Sequence, residues 1–162
     1  TISIMIAGDK ATKIAHEEVL YAFAKNPFHV GEKPGQGQAL KLLNNFLSGT
    51  AMIASTEAIL YGLSQGLDMQ TMLDVVNVST GQNTATNDKF PNRILPATFN
   101  AGFATALITK DVNLFLENAR EAGTPTHVAN TVGRIWNEAD KALPSSDFTL
   151  VYEHLRNEIN TS

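Results

Sequence analysis

The sequence has 162 residues, 43% of them apolar, a formal net charge of −4 and no cysteine. That length can bury one good core plus a small appendage, and the acidic balance with no basic run argues against a nucleic-acid or anionic-membrane partner. Disulfides and thiol chemistry are excluded, and a reducing, cytoplasmic location is expected.

The chain opens on an alternating, isoleucine-rich stretch at residues 1–7, which predicts a strand. It is too short, and lacks the basic region, for a signal peptide. Gly8-Asp9 turns the chain into a helical segment over residues 10–24, and Asn26 to Gly31 reads as a second short strand. Strand, helix, strand is a βαβ unit, but one crossover does not make a stable sheet, so these residues look like part of something larger.

After Gly35 everything is expected to be helical. Residues 38–65 form the longest apolar segment, with no proline and only two charges, Lys41 and Glu57, roughly 24 Å apart along a helix and so unable to pair within it. Gly66 marks its stop, and Asp68 caps a helix over residues 69–78. A loop at 79–83, a proline-interrupted segment at 88–95 and a connection at 96–102 lead to a helix over 103–122, irregular in its first turn and closed by Gly123. Thr124-Pro125 predicts the start of a helix running to Leu143, Pro144 ends it, and Ser145-Ser146 starts a last helix reaching Ile159 before a frayed tail. The long helix is no membrane span, because polar residues and glycines break its apolar run. Four scattered histidines show no ligand spacing, so no metal is expected, and Trp136 with Val132 and Ile135 reads as packing.

At about 100° per residue, Lys41, Asn44, Asn45, Ser48, Ser55 and Thr56 fall on one stripe of the long helix, with Met52 its apolar member. The other faces are apolar, which predicts a helix running through a core with its polar stripe lining a cavity or internal interface. A partly buried lysine beside amides has the makings of a tuned proton donor. The alternative is a lysine that snorkels to water while the two asparagines satisfy backbone or solvent.

The segment GQGQALKLLNN at residues 35–45, with its G-x-G, lysine and asparagine pair, resembles the catalytic helix of the β-hydroxyacid dehydrogenases. That family includes 3-hydroxyisobutyrate dehydrogenase and tartronate semialdehyde reductase and is related to 6-phosphogluconate dehydrogenase. The resemblance implies that Lys41 is the general acid/base of a hydride transfer and that Asn45, one turn on, holds the lysine or a substrate oxygen; Asn44 is divided between substrate binding and a helix–helix hydrogen bond. A second motif, Phe103-x-x-x-Leu107-x-x-Lys110-Asp111, is similar to the family pattern in which the phenylalanine borders the site and the lysine touches the cofactor. It implies substrate and cofactor contact for Phe103 and cofactor contact for Lys110, against a bland reading of Lys110 and Asp111 as adjacent surface charges, and leaves Asp111 to the helix N-terminus or a structural hydrogen bond. Gly81 and Asn83, in Ser79-Thr-Gly-Gln-Asn, match the place of a substrate loop. Ala7-Gly8-Asp9 matches the turn that ends a late strand of the family's nucleotide-binding domain.

Absent are a GxGxxG after a strand, the acidic residue that follows it, and the family's Ser-Gly-Gly substrate loop. The resemblance therefore implies a C-terminal portion. Residues 1–32 would be the terminal βαβ segment of an otherwise absent Rossmann-type domain, and 33–162 an all-α catalytic and oligomerisation domain, a bundle around one long central helix. By itself this polypeptide is expected to be inactive. The intact enzyme would interconvert a small β-hydroxyacid and its semialdehyde or keto acid with NAD or NADP, as a homodimer or homotetramer. Two rivals stand beside it: a non-catalytic helical oligomerisation module, and a related imine-type reductase, many of which lack the lysine.

Overall fold

The computed structural model describes residues 3–159, so the first two residues of the expected opening strand and the tail expected after Ile159 lie outside the described residues. The chain divides into two compact units, Thr1–Asn44 and Asn45–Ser162, with the division inside the longest helix.

In the first unit, β1 (Ser3–Ala7) pairs in parallel with β2 (Asn26–Gly31), from Ser3 opposite Asn26 to Ile6 opposite His29, before the register slips to place Ala7 opposite Gly31. The Gly8 N–H donates to the Gly31 carbonyl at 2.9 Å, and His29 Nε2 lies 2.7 Å from the Gly8 carbonyl, which can only accept. The turn between Ala7 and the first helix is thus pinned from both sides. The helix expected over residues 10–24 is two helices, α1 (Lys10–Ala15) and α2 (Glu17–Phe23). Asp9 caps the first through the Thr12 N–H at 2.7 Å, and His16 breaks it, its φ opening to −113°. Two local bonds favour that break. His16 Nδ1 lies 2.9 Å from the Thr12 carbonyl, and its backbone N–H closes a tighter turn onto Lys13.

The two glycines of the G-x-G have different reasons. Gly35 sits at φ +92°, in the left-handed region that a side chain disfavours, whereas a Cβ on Gly37 would stand 2.5 Å from the Met5 carbonyl oxygen. Helix α3 then runs from Gln36 to Ser64.

The second unit holds the core. Met52, Ile53, Ile59 and Leu60 of α3 pack with Leu73 of α4 (Met69–Val76), with Ile108 and Val112 of α5 (Thr105–Glu121), with Val132, Ile135 and Trp136 of α6 (His127–Ala142), and with Val151, Tyr152 and Leu155 of α7 (Val151–Ile159). The fold is thus mainly α, built around one long central helix and preceded by a short βαβ segment, as expected. Gly66 at φ +79° ends α3, the Asp68 carboxylate takes the Thr71 N–H at 2.9 Å to start α4, and Gly123 at φ +68° follows α5.

Four details depart from expectation. The proline-interrupted segment is a ten-residue π-helix, Ala85–Ile94, whose wider turn accommodates Pro91, with the Leu95 N–H reaching back five residues to Phe90 at 2.8 Å. Helix α6 starts at His127 rather than Pro125, because the Thr124 hydroxyl and N–H both turn back to the Ala119 carbonyl of α5 at 3.0 Å. The last helical stretch is capped by Asp147 rather than by Ser145-Ser146: its carboxylate takes the Thr149 N–H at 3.0 Å and opens a 3₁₀ turn, Phe148–Leu150, that continues into α7. Finally, α3 is not buried all round. Its stripe is covered from Met52 through Ser55 and Thr56, but Leu43, Leu47 and Tyr61, on another face, are 44%, 57% and 68% exposed.

Candidate functional site

In the second unit, a cavity of about 250 Å³ is lined by Asn45, Ser48, Lys89, Ala101, Phe103, Ile108 and Phe148. It lies below the ~300–1,000 Å³ range of drug-sized ligand sites, which suits a small molecule or one end of a larger one. Five separate elements converge on it. Helix α3 supplies Asn45 and Ser48 from its polar stripe, the π-helix supplies Lys89, the connection before α5 supplies Ala101 and Phe103, α5 supplies Ile108, and the 3₁₀ turn supplies Phe148.

Asn45 is the best fixed of the polar groups. Its Nδ2 donates to Asp111 Oδ2 at 2.7 Å, and Asp111 is only 2% exposed. A carboxylate can only accept, so this bond also settles which end of the amide is nitrogen. Asp111 therefore makes a structural hydrogen bond, reaching across from α5 to orient an α3 side chain. Ile108, one turn earlier on α5, brings its side chain to the cavity. Behind the cavity Gly49 leaves room for Trp136 and Ile108: a Cβ there would meet the indole nitrogen at 3.0 Å.

Phe103 is held from its backbone. Asp147 Oδ2 accepts from the Gly102 N–H at 2.8 Å and the Phe103 N–H at 3.4 Å, while the Phe148 N–H donates to the Phe103 carbonyl at 2.9 Å. The two rings then meet edge to face, with centroids 6.0 Å apart. Burial raises the pKa of Asp147, but the Thr149 hydroxyl and N–H and the two loop N–H groups outweigh it, leaving the carboxyl below its ordinary value. The connection itself is constrained, with Ala97 at φ 55° and Phe99 at φ 45°.

Lys89 is paired with its neighbour Asp88, and its side chain is 24% exposed. The ammonium and the Asn92 amide hold the Asp88 carboxyl below its ordinary pKa.

Of the residues singled out from sequence, the cavity brings together Asn45 and Phe103. Lys41 is half-buried and Asn44 exposed; both belong to α3, with Lys41 one helical turn before Asn45. Lys110, on α5, has a 58% exposed side chain 3.6 Å from Asp111 Oδ1. Gly81 and Asn83 do not line this cavity. The Asn83 amide is committed locally: Oδ1 accepts from the Ala85 and Thr86 N–H groups at 2.8 and 3.2 Å, and Nδ2 donates to Ser55 Oγ at 3.0 Å. It thus satisfies the first two N–H groups of the π-helix and ties the loop to the polar stripe. Ser48 was on that stripe without a role assigned, and Lys89, Ala101, Ile108 and Phe148 were not singled out. The one signal that pointed to Lys89 was a lysine inside a segment whose proline forbids a regular α-helix.

The chain matches, over residues 35–155, the profile of a family described as NAD-binding of NADP-dependent 3-hydroxyisobutyrate dehydrogenase. It is 32% identical over 165 residues to the mitochondrial 3-hydroxyisobutyrate dehydrogenase of Drosophila melanogaster, covering 98% of this chain and 51% of that protein. It is 34% identical over 125 residues to 2-(hydroxymethyl)glutarate dehydrogenase of Eubacterium barkeri, covering 77% of this chain and 41% of that protein. Among solved structures it is similar to the 3-hydroxyisobutyrate dehydrogenase of Mycobacterium tuberculosis with L-serine, at TM-score 0.87 and 28% identity, over 96% of this chain and 55% of that one. The chain spans about half the length of the curated relatives it matches.

Proposed function

Because the chain belongs to the family of NAD-binding domains of NADP-dependent 3-hydroxyisobutyrate dehydrogenase, we propose that it is the helical part of an oxidoreductase interconverting a small β-hydroxyacid and its semialdehyde or keto acid. The partner is NAD or NADP, held mainly by an N-terminal nucleotide-binding domain, for which the relatives' extra length leaves room. The observation that carries this reading is Asn45, which lines a small cavity beside Phe103 while the buried Asp111 fixes its amide. Such a fixed amide one helical turn after a half-buried lysine is an arrangement suited to proton transfer at a hydroxyl.

Bound at the site, the nicotinamide supplies or accepts the hydride. Lys41 gives a proton to the carbonyl oxygen as it gains charge in reduction and removes it from the hydroxyl in oxidation. Asn45, with Nδ2 turned to Asp111, offers its carbonyl oxygen to the substrate hydroxyl or to the lysine ammonium. Phe103, Phe148 and Ile108 form an apolar wall that keeps water from the reacting carbon. This chain offers the cofactor an exposed cation, Lys110, which suits a phosphate or an amide carbonyl; the sequence has no glycine-rich phosphate turn, so that contact supplements a cradle elsewhere. Asn44 stands exposed beside Asn45 for a substrate or partner contact, and Gly81 and Asn83 act through the shape of their loop.

The open apolar face of α3, with Leu43, Leu47 and Tyr61, supports self-association as a homodimer or homotetramer. The direct test is to assay the full-length enzyme carrying this chain with NAD and NADP against short β-hydroxyacids. Turnover of at least one supports the reading; none with either cofactor leaves the chain as a helical oligomerisation module.

A further inference from the structure

We infer that the cavity beside Asn45 is a carboxylate-binding subsite with Lys89 as its anion anchor, so that the preferred substrates are hydroxyacids carrying a second carboxylate. This rests on the dehydrogenase reading and names the substrate class of that site. The lining explains it. Among Asn45, Ser48, Lys89, Ala101, Phe103, Ile108 and Phe148, Lys89 is the charged residue and no carboxylate faces it across the cavity. The ammonium has three donors, of which Asp88 takes one. Asp88 is a poor sink for the rest, because it is half exposed and shares its other oxygen with the Asn92 amide at 3.1 Å.

A lysine side chain three-quarters removed from water gains from a further anion more than a solvated surface lysine does. Ser48 and Asn45 add neutral polar groups, and Ala101, Phe103, Ile108 and Phe148 offer apolar surface suited to the methylenes that separate two carboxylates. The backbone that carries Lys89 is itself unusual. It belongs to a ten-residue π-helix, a conformation that is rare and concentrates at functional sites, and the extra residue in each turn sets Lys89 out of ordinary α-helical phase. A monocarboxylic hydroxyacid leaves this subsite without an anion.

Two compounds isolate the effect. 2-(Hydroxymethyl)glutarate is 3-hydroxyisobutyrate with its methyl group extended by a CH₂–carboxylate arm, so the reacting hydroxymethyl and the first carboxylate are the same in both. In the full-length enzyme the ratio of kcat/KM for the dicarboxylate over the monocarboxylate should exceed one, and Lys89→Met should lower that ratio about ten- to a hundredfold, the loss of one charge-assisted hydrogen bond. The ratio does not depend on how much of a variant folds. Lys89→Arg, which keeps the cation, should retain most of the preference. A parent that favours the monocarboxylate, or a ratio unmoved by Lys89→Met, would overturn the assignment while leaving the dehydrogenase reading intact. Calorimetric titration of parent and Lys89→Met with glutarate separates the two claims. Glutarate binding lost in Lys89→Met, in an enzyme that turns over neither hydroxyacid, supports the subsite and counts against the dehydrogenase; neither binding nor turnover overturns both.

Discussion

Replacing Asn45 by alanine tests whether the bond from α3 to α5 holds the cavity in shape. The structure gives the ingredients of the magnitude: a 2.7 Å hydrogen bond to a carboxylate that is only 2% exposed. Hydrogen bonds to charged groups contribute about 1.5–3 kcal/mol, and a buried acceptor that loses its donor also forfeits the hydration it gave up on folding. Asn45→Ala should therefore destabilise the chain by about 2 kcal/mol, which for a protein of this size lowers the melting temperature by roughly 4–8 °C. Urea denaturation of the parent, Asn45→Ala, Asp111→Asn and the double variant completes a cycle, and a coupling energy of about 1 kcal/mol or more is expected for a direct pair. Loss of less than about 0.5 kcal/mol in Asn45→Ala, or additivity across the cycle, would refute a direct bond between the two side chains, because residues in contact couple by more than that.

Three further perturbations follow. Gly37→Ala should cost about 1–3 kcal/mol, since its Cβ would stand 2.5 Å from a backbone oxygen that cannot rotate away; an unchanged melting temperature would contradict that close approach. The Asp147 carboxyl is held below its ordinary pKa, so its contribution is complete above the unfolded value near ~3.9 and is lost as pH falls through the lower folded value. The stability lead of the parent over Asp147→Asn should thus hold from neutral pH down to the unfolded value and shrink on further acidification, and a pH-independent difference in urea midpoints would sink it. In the full-length enzyme, Lys110→Ala should raise the cofactor's KM and lower kcat/KM about ten- to a hundredfold, as removing one charged hydrogen bond does. Unchanged values would return Lys110 to an exposed surface charge.

Local chemistry made much of this fold legible. Gly66 and Asp68 marked a stop and a start because a positive φ and a capping carboxylate leave their signature in single residues. The Gly35 and Gly37 pair was visible as a motif, but its second reason, the Met5 carbonyl, lies in a distant strand. The π-helix was not legible: Pro91 reads as an interruption, and nothing in a sequence pattern distinguishes a widened turn from a broken one. At the end of α6, Ser145, Ser146 and Asp147 are three adjacent capping residues, and Asp147 takes the cap because its second oxygen also binds the loop before α5. The candidate site divides the same way. Asn45 and Phe103 stood out in motifs, whereas Lys89, Ile108 and Phe148 meet them only through tertiary packing. The face of α3 bearing Leu47 and Tyr61 was read as core because apolar composition does not separate a core from a surface awaiting a partner.

Lys41 is proposed to move the proton because it lies half-buried within the GQGQALKLLNN segment of a long apolar helix, one turn before a fixed amide. The most direct test is the single-turnover rate of Lys41→Met in the full-length enzyme, on a hydroxyacid the parent oxidises well, with helix content and cofactor affinity measured alongside. Both of those should be retained while the rate falls by the ~10²–10⁴-fold expected of a general acid/base, with no rescue by Lys41→Arg, whose guanidinium releases its proton too reluctantly near neutral pH. A Lys41→Met rate within threefold of the parent would contradict that role.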